Sequence, residues 1–306
     1  GNILGIIGTA ADNTKASVEH RPSESAQAVA TMRALSCLDE RETIRGRDYL
    51  AEKFLTEERR AALKNPAVRE WMMKNPPGLY EYAIARTAFF DQIVERAFAE
   101  NMPQVVFLGA GYDTRSYRFK DLIKETRIFE LDARPTQERK KELLRNAGIS
   151  IPGQLTFLPV NFGSDDLGAV LSRAGFDRGK KTLFIWEGVT FYLMPDVVGD
   201  TLHFIKNNSR AGSSVCFDCA VTSPDGLNGY GVKELREAMK VSFPGEATLF
   251  AIEDGNVGSF LSQRGFTVIE QLTTEDMERK YLTLQDGSSA GRVTAMFRLV
   301  HAAVSG

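Results

Sequence analysis

A glycine turn directly after an apolar run is the clearest candidate for a binding site in this sequence. The run and the turn read VVFLGAGYDTR over residues 105–115. Gly109 and Gly111 let the backbone come close to a ligand, because a side chain at either position would occupy the ligand's space. We therefore expect a nucleotide-like ligand at this turn, in contact with Gly109, Ala110, Gly111 and Asp113.

Two other interpretations of the turn stay open at this point. A nicotinamide-binding turn would carry a third glycine at position 114, whereas this chain has Thr114, so a dehydrogenase is disfavoured. Alternatively, the turn is only a tight exit from a strand and binds nothing. The residues that end the neighbouring apolar runs help to distinguish these cases.

Acidic residues end two further apolar runs. In RIFELDA, Asp132 lies about 20 residues beyond the turn, where a carboxylate of a doubly wound fold accepts hydrogen bonds from both ribose hydroxyls. Glu130 points the same way along the strand, and we favour Asp132 because it is nearer the carboxyl end. In TLFIWEG, Glu187 ends the run, so we expect it to face the same crevice and to stabilise a sulfonium or ammonium cation.

Asn161 and Phe162 in LPVNFGSDDL fall where a third strand would end. An amide and an aromatic ring at that place suit an adenine, because the amide bonds the edge of the base and the ring covers its face. A plain turn with no ligand contact is the alternative interpretation.

Arg86 interrupts the apolar face of a predicted helix that begins after Pro76, Pro77 and Gly78. It lies four residues after Tyr82, on the side of the helix that should be buried. A buried guanidinium group needs an anionic partner to offset its desolvation. That partner is either an internal Asp or Glu or the carboxylate of a ligand, and the pattern leaves both open.

The elements that position these residues are helices first and a sheet afterwards. Residues 23–100 read as helices broken by Gly and Pro, which predicts an N-terminal helical section over residues 1–100. Five apolar runs then alternate with helical segments and predict a parallel sheet covered on both faces, within a core over residues 101–306. Two later runs, FTVIEQL and RVTAMFRLVHA, suit a final antiparallel pair. The glycine-rich insertion at 222–255 is predicted to be a mobile lid.

Composition argues for a small partner and against several protein classes. The 306 residues carry 38 basic and 40 acidic side chains, a net charge of −2, which shows no bias toward nucleic acid or an anionic membrane. No apolar stretch reaches the ~20 residues of a membrane helix, and residues 3–7 look like a tail or edge segment. The chain has an odd number of cysteines, which suits a reducing compartment such as the cytoplasm. Cys216 and Cys219 form a CxxC, but they lie in a predicted strand and therefore point to opposite faces.

The motifs YAIARTAFF, GAGYDTR with Tyr117 and Arg118, FELDA and WEGVTFYL together resemble the leucine carboxyl methyltransferase family, over roughly residues 23–306. The resemblance implies a class I methyltransferase that binds S-adenosylmethionine, releases S-adenosylhomocysteine and uses no metal. The expected fold class is therefore α/β, with a Rossmann-like, mostly parallel sheet and a final antiparallel strand.

The same resemblance implies roles for individual residues. Arg86 would hold the cofactor carboxylate, Gly109 would flank the methionine part, Asp132 would hold the ribose and Glu187 would contact the bound cofactor. Relatives usually carry Asp-Leu where this chain has Asn161 and Phe162. The adenine contact is therefore altered, or the contacting pair has shifted.

The expected reaction is methyl transfer to an oxygen, carboxylate or hydroxyl, of a small and acidic acceptor. Arg115 and Tyr192 are the candidate acceptor ligands, and Arg115 or Arg118 could instead pair with a nearby acid. A carboxylate acceptor needs no general base, whereas a hydroxyl acceptor would use one, for which Tyr192 and His203 are weak candidates. A protein C-terminal carboxyl methyltransferase and a non-catalytic S-adenosylmethionine-binding protein are the alternatives. The sequence indicates no oligomeric state.

Overall fold

The computed structural model describes residues 22–223, 225–242 and 248–306. The predictions for residues 3–7, and parts of the 222–255 insertion, lie outside these ranges. Within them the chain begins with four α-helices: α1 (Glu24–Ser36), α2 (Glu57–Lys64), α3 (Pro66–Lys74) and α4 (Leu79–Ala99). Ser23, Thr56 and Asn65 cap the first three with side-chain oxygens, which satisfies backbone N–H groups that the helices leave unpaired.

The sheet follows the predicted apolar runs. Its strands are β1 (Gln104–Leu108), β2 (Arg127–Asp132), β3 (Leu155–Pro159), β4 (Thr182–Trp186), β5 (Ser214–Thr222), β6 (Ile252–Glu253), β7 (Phe266–Leu272) and β8 (Phe297–Val304). Their order is β3-β2-β1-β4-β5-β8-β7, with β6 paired only with β5. Strands β1 to β6 pair in parallel, and β8 pairs antiparallel with both β5 and β7. The final antiparallel pair is thus confirmed.

The helices between the strands cover the sheet. They are α5 (Arg115–Arg118), α6 (Arg134–Asn146), α7 (Leu167–Arg173), α8 (Pro195–Asn207), α9 (Val232–Ser242), α10 (Val257–Ser262) and α11 (Thr274–Tyr281). Alternate residues of each central strand enter one of two hydrophobic cores. On β1, Val105 and Phe107 pack with the N-terminal helices, whereas Val106 and Leu108 pack on the opposite face with α7, α8 and α10. The helical section therefore shares a core with the sheet. The division of the chain into a helical section (1–100) and a core (101–306) stays a prediction.

The insertion between β5 and β7 is anchored at both ends. At its start, Ala295 N donates to the carbonyl of Tyr230. At its end, Leu249 N donates to the carbonyl of Phe191, in the short 3₁₀ helix Thr190–Tyr192 that follows β4. Between these anchors α9 lines the cavity at the carboxyl end of the sheet. That the insertion acts as a mobile lid stays a prediction. None of the helices in the described ranges is both long and apolar enough to span a membrane.

Cys216 and Cys219 belong to opposite faces of β5 and to different hydrophobic cores, as predicted. Burial raises the pKa of both thiols, so neither is available as a thiolate at neutral pH. Burial, with a contribution from Asp48, also raises the pKa of Cys37 to about 11. The three side chains are free thiols.

These environments predict slow thiol chemistry in the folded protein. At about pH 8, an aromatic disulfide reagent should label less than one thiol per chain within minutes, because little thiolate is present. All three should react at once in denaturant. The absorbance of the released thiolate measures both. Rapid labelling of two native thiols, or fewer than three after unfolding under non-reducing conditions, would contradict this assignment and revive a redox role for the CxxC.

Candidate functional site

A cavity of about 1310 Å³ lies where β1, β2, β3 and β4 end, between the sheet, the N-terminal helices and α9. Parallel strands of open α/β sheets present ligand contacts at their carboxyl ends, so this is the position at which a site is expected. The cavity wall includes these predicted site residues: Arg86, Gly109, Ala110, Gly111, Asp113, Asp132, Asn161, Phe162, Glu187 and Tyr192. The structure therefore brings together residues separated by as many as a hundred positions in the sequence.

The glycine turn is held against the neighbouring strand. The backbone N–H groups of Gly109 and Ala110 both donate to the carbonyl of Leu131, at 2.9 Å. Gly109 and Gly111 have φ values of 72° and 46°, in the left-handed region where glycine is unstrained. A Cβ atom at Gly109 would lie 2.5 Å from Cγ2 of Val189. The loop after β4 thus also requires glycine there, a reason that the sequence did not reveal.

Asp132 and Glu130 differ in accessibility. Asp132 lines the cavity and accepts hydrogen bonds from the backbone N–H groups of Gly111 and Ala133. Glu130 is 1% exposed and pairs with Lys140 at 2.6 Å, so it lies behind the cavity wall. Burial raises the pKa of Glu130 to about 7, and Lys140 opposes that shift. The arrangement favours Asp132 as the residue that meets a ligand.

Asn161 and Phe162 are half-buried in the cavity wall just beyond β3. The side-chain oxygen of Asn161 accepts from Gly163 N at 2.9 Å, and its backbone N–H donates to Asp165. Part of the amide is thus used by the turn itself, as the plain-turn interpretation requires. Phe162 packs its ring against the second core while lining the cavity, which leaves an aromatic surface toward the ligand.

Arg86 has two internal carboxylate partners. Its Nε lies 3.2 Å from Oε1 of Glu187, and its Nη1 lies 3.2 Å from Oδ2 of Asp218. Burial disfavours its charge, but Tyr82, Glu187 and Asp218 outweigh that penalty and raise the pKa of Arg86 above its ordinary value. The internal-acid alternative is therefore what the structure contains. Because Arg86 also lines the cavity, a ligand carboxylate could still reach it.

Arg115 occupies a different place from the one predicted for an acceptor ligand. It is 1% exposed and outside the cavity wall. Its guanidinium group contacts Asp91 at 2.7 Å, Asp113 at 2.5 Å and Glu187 at 2.6 Å. Burial opposes ionisation of Asp113, but Arg115 outweighs it and the pKa of Asp113 lies below its usual value. With three carboxylates around it, Arg115 holds the glycine turn and cannot bind an acceptor in this arrangement.

The contacts of Arg86 and Arg115 are part of one ionic network beneath the cavity floor. Its members are Arg33, Asp48, Arg86, Asp91, Asp113, Arg115, Arg118, Glu187 and Asp218. They come from α1, the loop after it, α4, the glycine turn, α5, the end of β4 and the middle of β5. Five carboxylates face four guanidinium groups in this set, so the network carries an excess of one negative charge.

The two weak candidates for a general base are in unlike positions. Tyr192 lines the cavity in the 3₁₀ helix after β4. His203 is exposed on α8, away from the cavity wall, and its Nε2 lies 2.8 Å from Nδ2 of Asn207. His203 is therefore a surface residue, and its position does not support the role of a base in this cavity. Within the described ranges, no group of three His, Cys, Asp or Glu side chains could hold a metal ion.

Sequence reasoning missed Asp218, which organises the end of β4. It is fully buried and accepts hydrogen bonds from Tyr82 Oη at 2.6 Å, Gly188 N at 2.6 Å and Arg86. Its position inside the apolar run SVCFDCAV is the signal that could have found it, because a carboxylate in a buried strand requires partners. Sequence reasoning also missed Asp91 in α4 and Asp48 in the loop after α1, whose guanidinium partners are distant in the sequence.

Solved structures show the same fold. A protein from Thermobifida fusca, provisionally named a methyltransferase, aligns with a TM-score of 0.60 at 17% identity over 94% of this chain and 96% of its own. A DUF574 family protein from Streptomyces avermitilis aligns with a TM-score of 0.60 at 12% identity, over 94% of this chain and 99% of its own. The fold is thus that of the class I methyltransferases, an α/β sheet with a cavity at its carboxyl edge, as predicted.

The sequence identifies the family. The model of the leucine carboxyl methyltransferase family matches residues 26–206, more than half of the chain. The chain therefore belongs to the leucine carboxyl methyltransferase family, and the resemblance seen in its motifs is confirmed.

Curated relatives match a similar part of the chain. A Bacillus subtilis protein, provisionally named S-adenosyl-L-methionine-dependent methyltransferase YktD, is 26% identical over 194 residues, 63% of this chain and 64% of its own length. A Frankia alni protein with the same provisional description is 34% identical over 191 residues, 62% of this chain and 65% of its own. The matched segments thus span just under two thirds of these relatives.

The pairing of Arg86 with Glu187 and Asp218 predicts a large cost for its removal. Arg86→Met should lower the free energy of unfolding of the ligand-free protein by about 3–5 kcal/mol, because the buried Glu187 and Asp218 each lose one guanidinium partner and the negative excess of the network grows. Urea unfolding followed by circular dichroism measures this.

Arg134→Met is the matched control. Arg134 also lines the cavity, but its side chain is 70% exposed and lies 3.9 Å from Glu138, so its replacement should cost less than about 0.5 kcal/mol. A similar small loss for both variants would show that the Arg86 contacts contribute little to the fold.

Proposed function

We propose that this protein is an S-adenosylmethionine-dependent methyltransferase that transfers the methyl group to an oxygen of a small-molecule acceptor. One observation carries the proposal. Asp132, Glu187, Arg86 and the glycine turn, which are far apart in sequence, line a single cavity at the carboxyl end of the sheet. Membership in the leucine carboxyl methyltransferase family supports the reaction class.

The residues present fit the cofactor. Each oxygen of a carboxylate can accept two hydrogen bonds, and each oxygen of Asp132 has one backbone N–H partner, so both retain capacity for ribose hydroxyls. Arg86 would bind the amino-acid carboxylate while keeping one of its internal partners. The excess negative charge of the ionic network suits a ligand with a positive sulfonium and a positive ammonium. The ring of Phe162 would cover the adenine.

When bound, S-adenosylmethionine supplies an electrophilic methyl group, whose transfer to oxygen breaks the carbon–sulfur bond and leaves the electron pair on sulfur. The protein's own task is alignment, because an in-line displacement depends on holding nucleophile, carbon and sulfur in position. The ionic network holds the glycine turn and the end of β4 rigid for this purpose. The helices and α9 would exclude water from the reacting atoms.

A carboxylate is the acceptor oxygen that this cavity favours. A carboxylate is already ionised at neutral pH and needs no base. Within the described ranges the cavity wall contains no histidine, and the Oη of Tyr82 already donates to Asp218. Both oxygens of Glu187 are paired with guanidinium groups. A hydroxyl acceptor would therefore depend on another side chain of the wall, such as Tyr192 or Glu234, as its base.

A small molecule fits the site better than a protein terminus. The acceptor side of the cavity is walled by α1, α3 and α9, which leaves an incoming chain the mouth beside Met194, Val241 and Leu249 as its entrance. A protein C-terminal carboxyl methyltransferase would need an open cleft at this place. Methylation of a protein C-terminus is therefore the second candidate, and it would require α9 to move away from the cavity.

Asp132→Ala should weaken binding of S-adenosylhomocysteine by about 1–3 kcal/mol, because the ribose hydroxyls lose their acceptor. Isothermal titration calorimetry measures the change. Glu130→Gln is the control: it lies behind the cavity wall, so its cost should appear in thermal stability and leave the affinity unchanged. Greater loss of affinity in Glu130→Gln than in Asp132→Ala would exchange the roles of the two residues.

Methyl transfer itself is tested with methyl-tritiated S-adenosylmethionine and a panel of carboxylic acids, alcohols and amines. Transfer to a carboxylate gives an ester, which releases volatile labelled methanol in mild alkali, whereas an ether or an N-methyl product does not. We expect alkali-labile product. Stable product would identify a different nucleophile, and tight cofactor binding with no transfer to any class would favour a non-catalytic binding protein.

A further inference from the structure

The part of the cavity beyond the predicted cofactor contacts is largely apolar, and the two acidic residues that α9 adds to its lining, Glu234 and Glu237, are exposed. Its wall there comes from the N-terminal helices, α9 and the start of β8, and includes Met32, Trp71, Leu79, Leu235, Met239 and Phe297. Leu235 and Phe297 are each 3% exposed, so these side chains are part of a packed wall and not a wet surface. We call this set of six residues the apolar wall.

We propose that the acceptor is a bulky or elongated apolar molecule with a single carboxylate, whose apolar body packs against the apolar wall. This inference rests on the proposed function, because it assigns the acceptor side of the same cavity. It replaces the broader expectation of an acidic acceptor with a narrower one: the only charge of the acceptor is the group that receives the methyl.

The cations near this region are committed to protein carboxylates. Nε of Arg33 lies 2.9 Å from Oδ2 of Asp48, and Nη2 of Arg59 lies 3.4 Å from Oε2 of Glu24. Burial lowers the pKa of Arg59, although the nearby Glu24 opposes that shift. A second carboxylate or a phosphate on the acceptor would have to compete with these internal partners, whereas an apolar body would not.

Two neutral polar side chains beside the apolar wall already donate hydrogen bonds within the protein. Thr31 Oγ1 donates to the carbonyl of Gln27 at 2.7 Å, and Asn75 Nδ2 donates to the carbonyl of Trp71 at 3.0 Å. Hydroxyl-rich or amide-rich acceptors would therefore lose hydrogen bonds to water without replacing them, which is costly in a closed site. The apolar wall selects against such molecules.

The volume leaves room for an acceptor of substantial size. A cavity of about 1310 Å³ exceeds the range of about 300–1,000 Å³ that small-molecule sites usually occupy. The cavity is thus larger than one small ligand requires, and its volume allows an acceptor to bind beside the cofactor.

The mouth of the cavity continues the same surface. Met194, Val241 and Leu249 line the cavity and are 53%, 65% and 47% exposed, which makes them three of the most exposed large apolar side chains of the described residues. Exposed apolar side chains that adjoin a cavity mark a ligand-binding surface. These three side chains adjoin the apolar wall. We therefore assign them to the far end of the acceptor's apolar body, which would pack against them.

The test is a chain-length series of saturated monocarboxylic acids, from butanoate to dodecanoate, titrated calorimetrically into the protein saturated with S-adenosylhomocysteine. Each added methylene should tighten binding about three- to fourfold until the cavity is filled, the factor expected for burying one methylene group. Hexanedioate should bind at least about tenfold more weakly than hexanoate, because its second carboxylate would be buried without a partner. A length-independent affinity, or equal binding of the two six-carbon acids, would overturn the proposal.

Two matched variants locate the binding. Met239→Glu places a carboxylate in the apolar wall and should weaken dodecanoate binding at least about tenfold, with the affinity for S-adenosylhomocysteine unchanged. Leu227→Glu makes the same kind of change at an exposed residue that does not line the cavity, and should change neither affinity. If the two variants behaved alike toward dodecanoate, binding would lie outside the cavity and the proposal would fail.

Two further measurements separate a failure of this proposal from a failure of the proposed function: the titration of S-adenosylhomocysteine alone, and the acid series without cofactor. Absence of any heat with S-adenosylhomocysteine would contradict the proposed function, whatever the acids do. Cofactor binding with a flat acid series would leave the methyltransferase assignment intact and remove only the apolar acceptor.

Discussion

The contacts of the buried Arg115 guanidinium with Asp91, Asp113 and Glu187 are the interaction on which the site depends. They join three parts of the chain that contribute to the cavity: α4, the glycine turn and the end of β4. Removing the Arg115 guanidinium would leave its three carboxylates buried with fewer cations than they need, a change that costs several kcal/mol. The network thus fixes the relative positions of the cavity walls before any ligand arrives, and removes the need for the ligand to order them.

The same arrangement divides the chemistry of the cavity into two regions. Charge is concentrated along the carboxyl ends of the strands, where the carboxylates of the ionic network outnumber its guanidinium groups and Asp132 adds another acid. The helices and α9 supply the apolar wall instead. A cationic ligand is stabilised in the first region and an apolar one in the second. The proposed methyl donor, with its sulfonium centre, and the proposed acceptor, with its apolar body, would therefore meet where the two regions adjoin.

The sequence predicted β1 to β5 well, because each is a nearly continuous apolar run, and β1, β2 and β4 lead directly into residues that line the cavity. It also placed Asp132, Glu187 and the glycine turn in one crevice. It could not choose between partners for Arg86, since Asp218 lies in another strand and only the parallel pairing of β4 with β5 brings it near. It also left two roles open for Arg115, acceptor ligand or partner of a nearby acid, because local sequence shows a charge but not the three acids that fold around it. The apolar wall depends on helices far apart in the chain, whose contacts no local pattern reveals.

The most direct test of this account is a crystal structure of the protein with S-adenosylhomocysteine. The account predicts density across the carboxyl ends of β1 and β2, with the ribose hydroxyls on Asp132, the amino-acid carboxylate at Arg86 and the sulfur directed toward the apolar wall. Density outside the cavity, or a ligand in the cavity whose ribose makes no contact with Asp132, would contradict it.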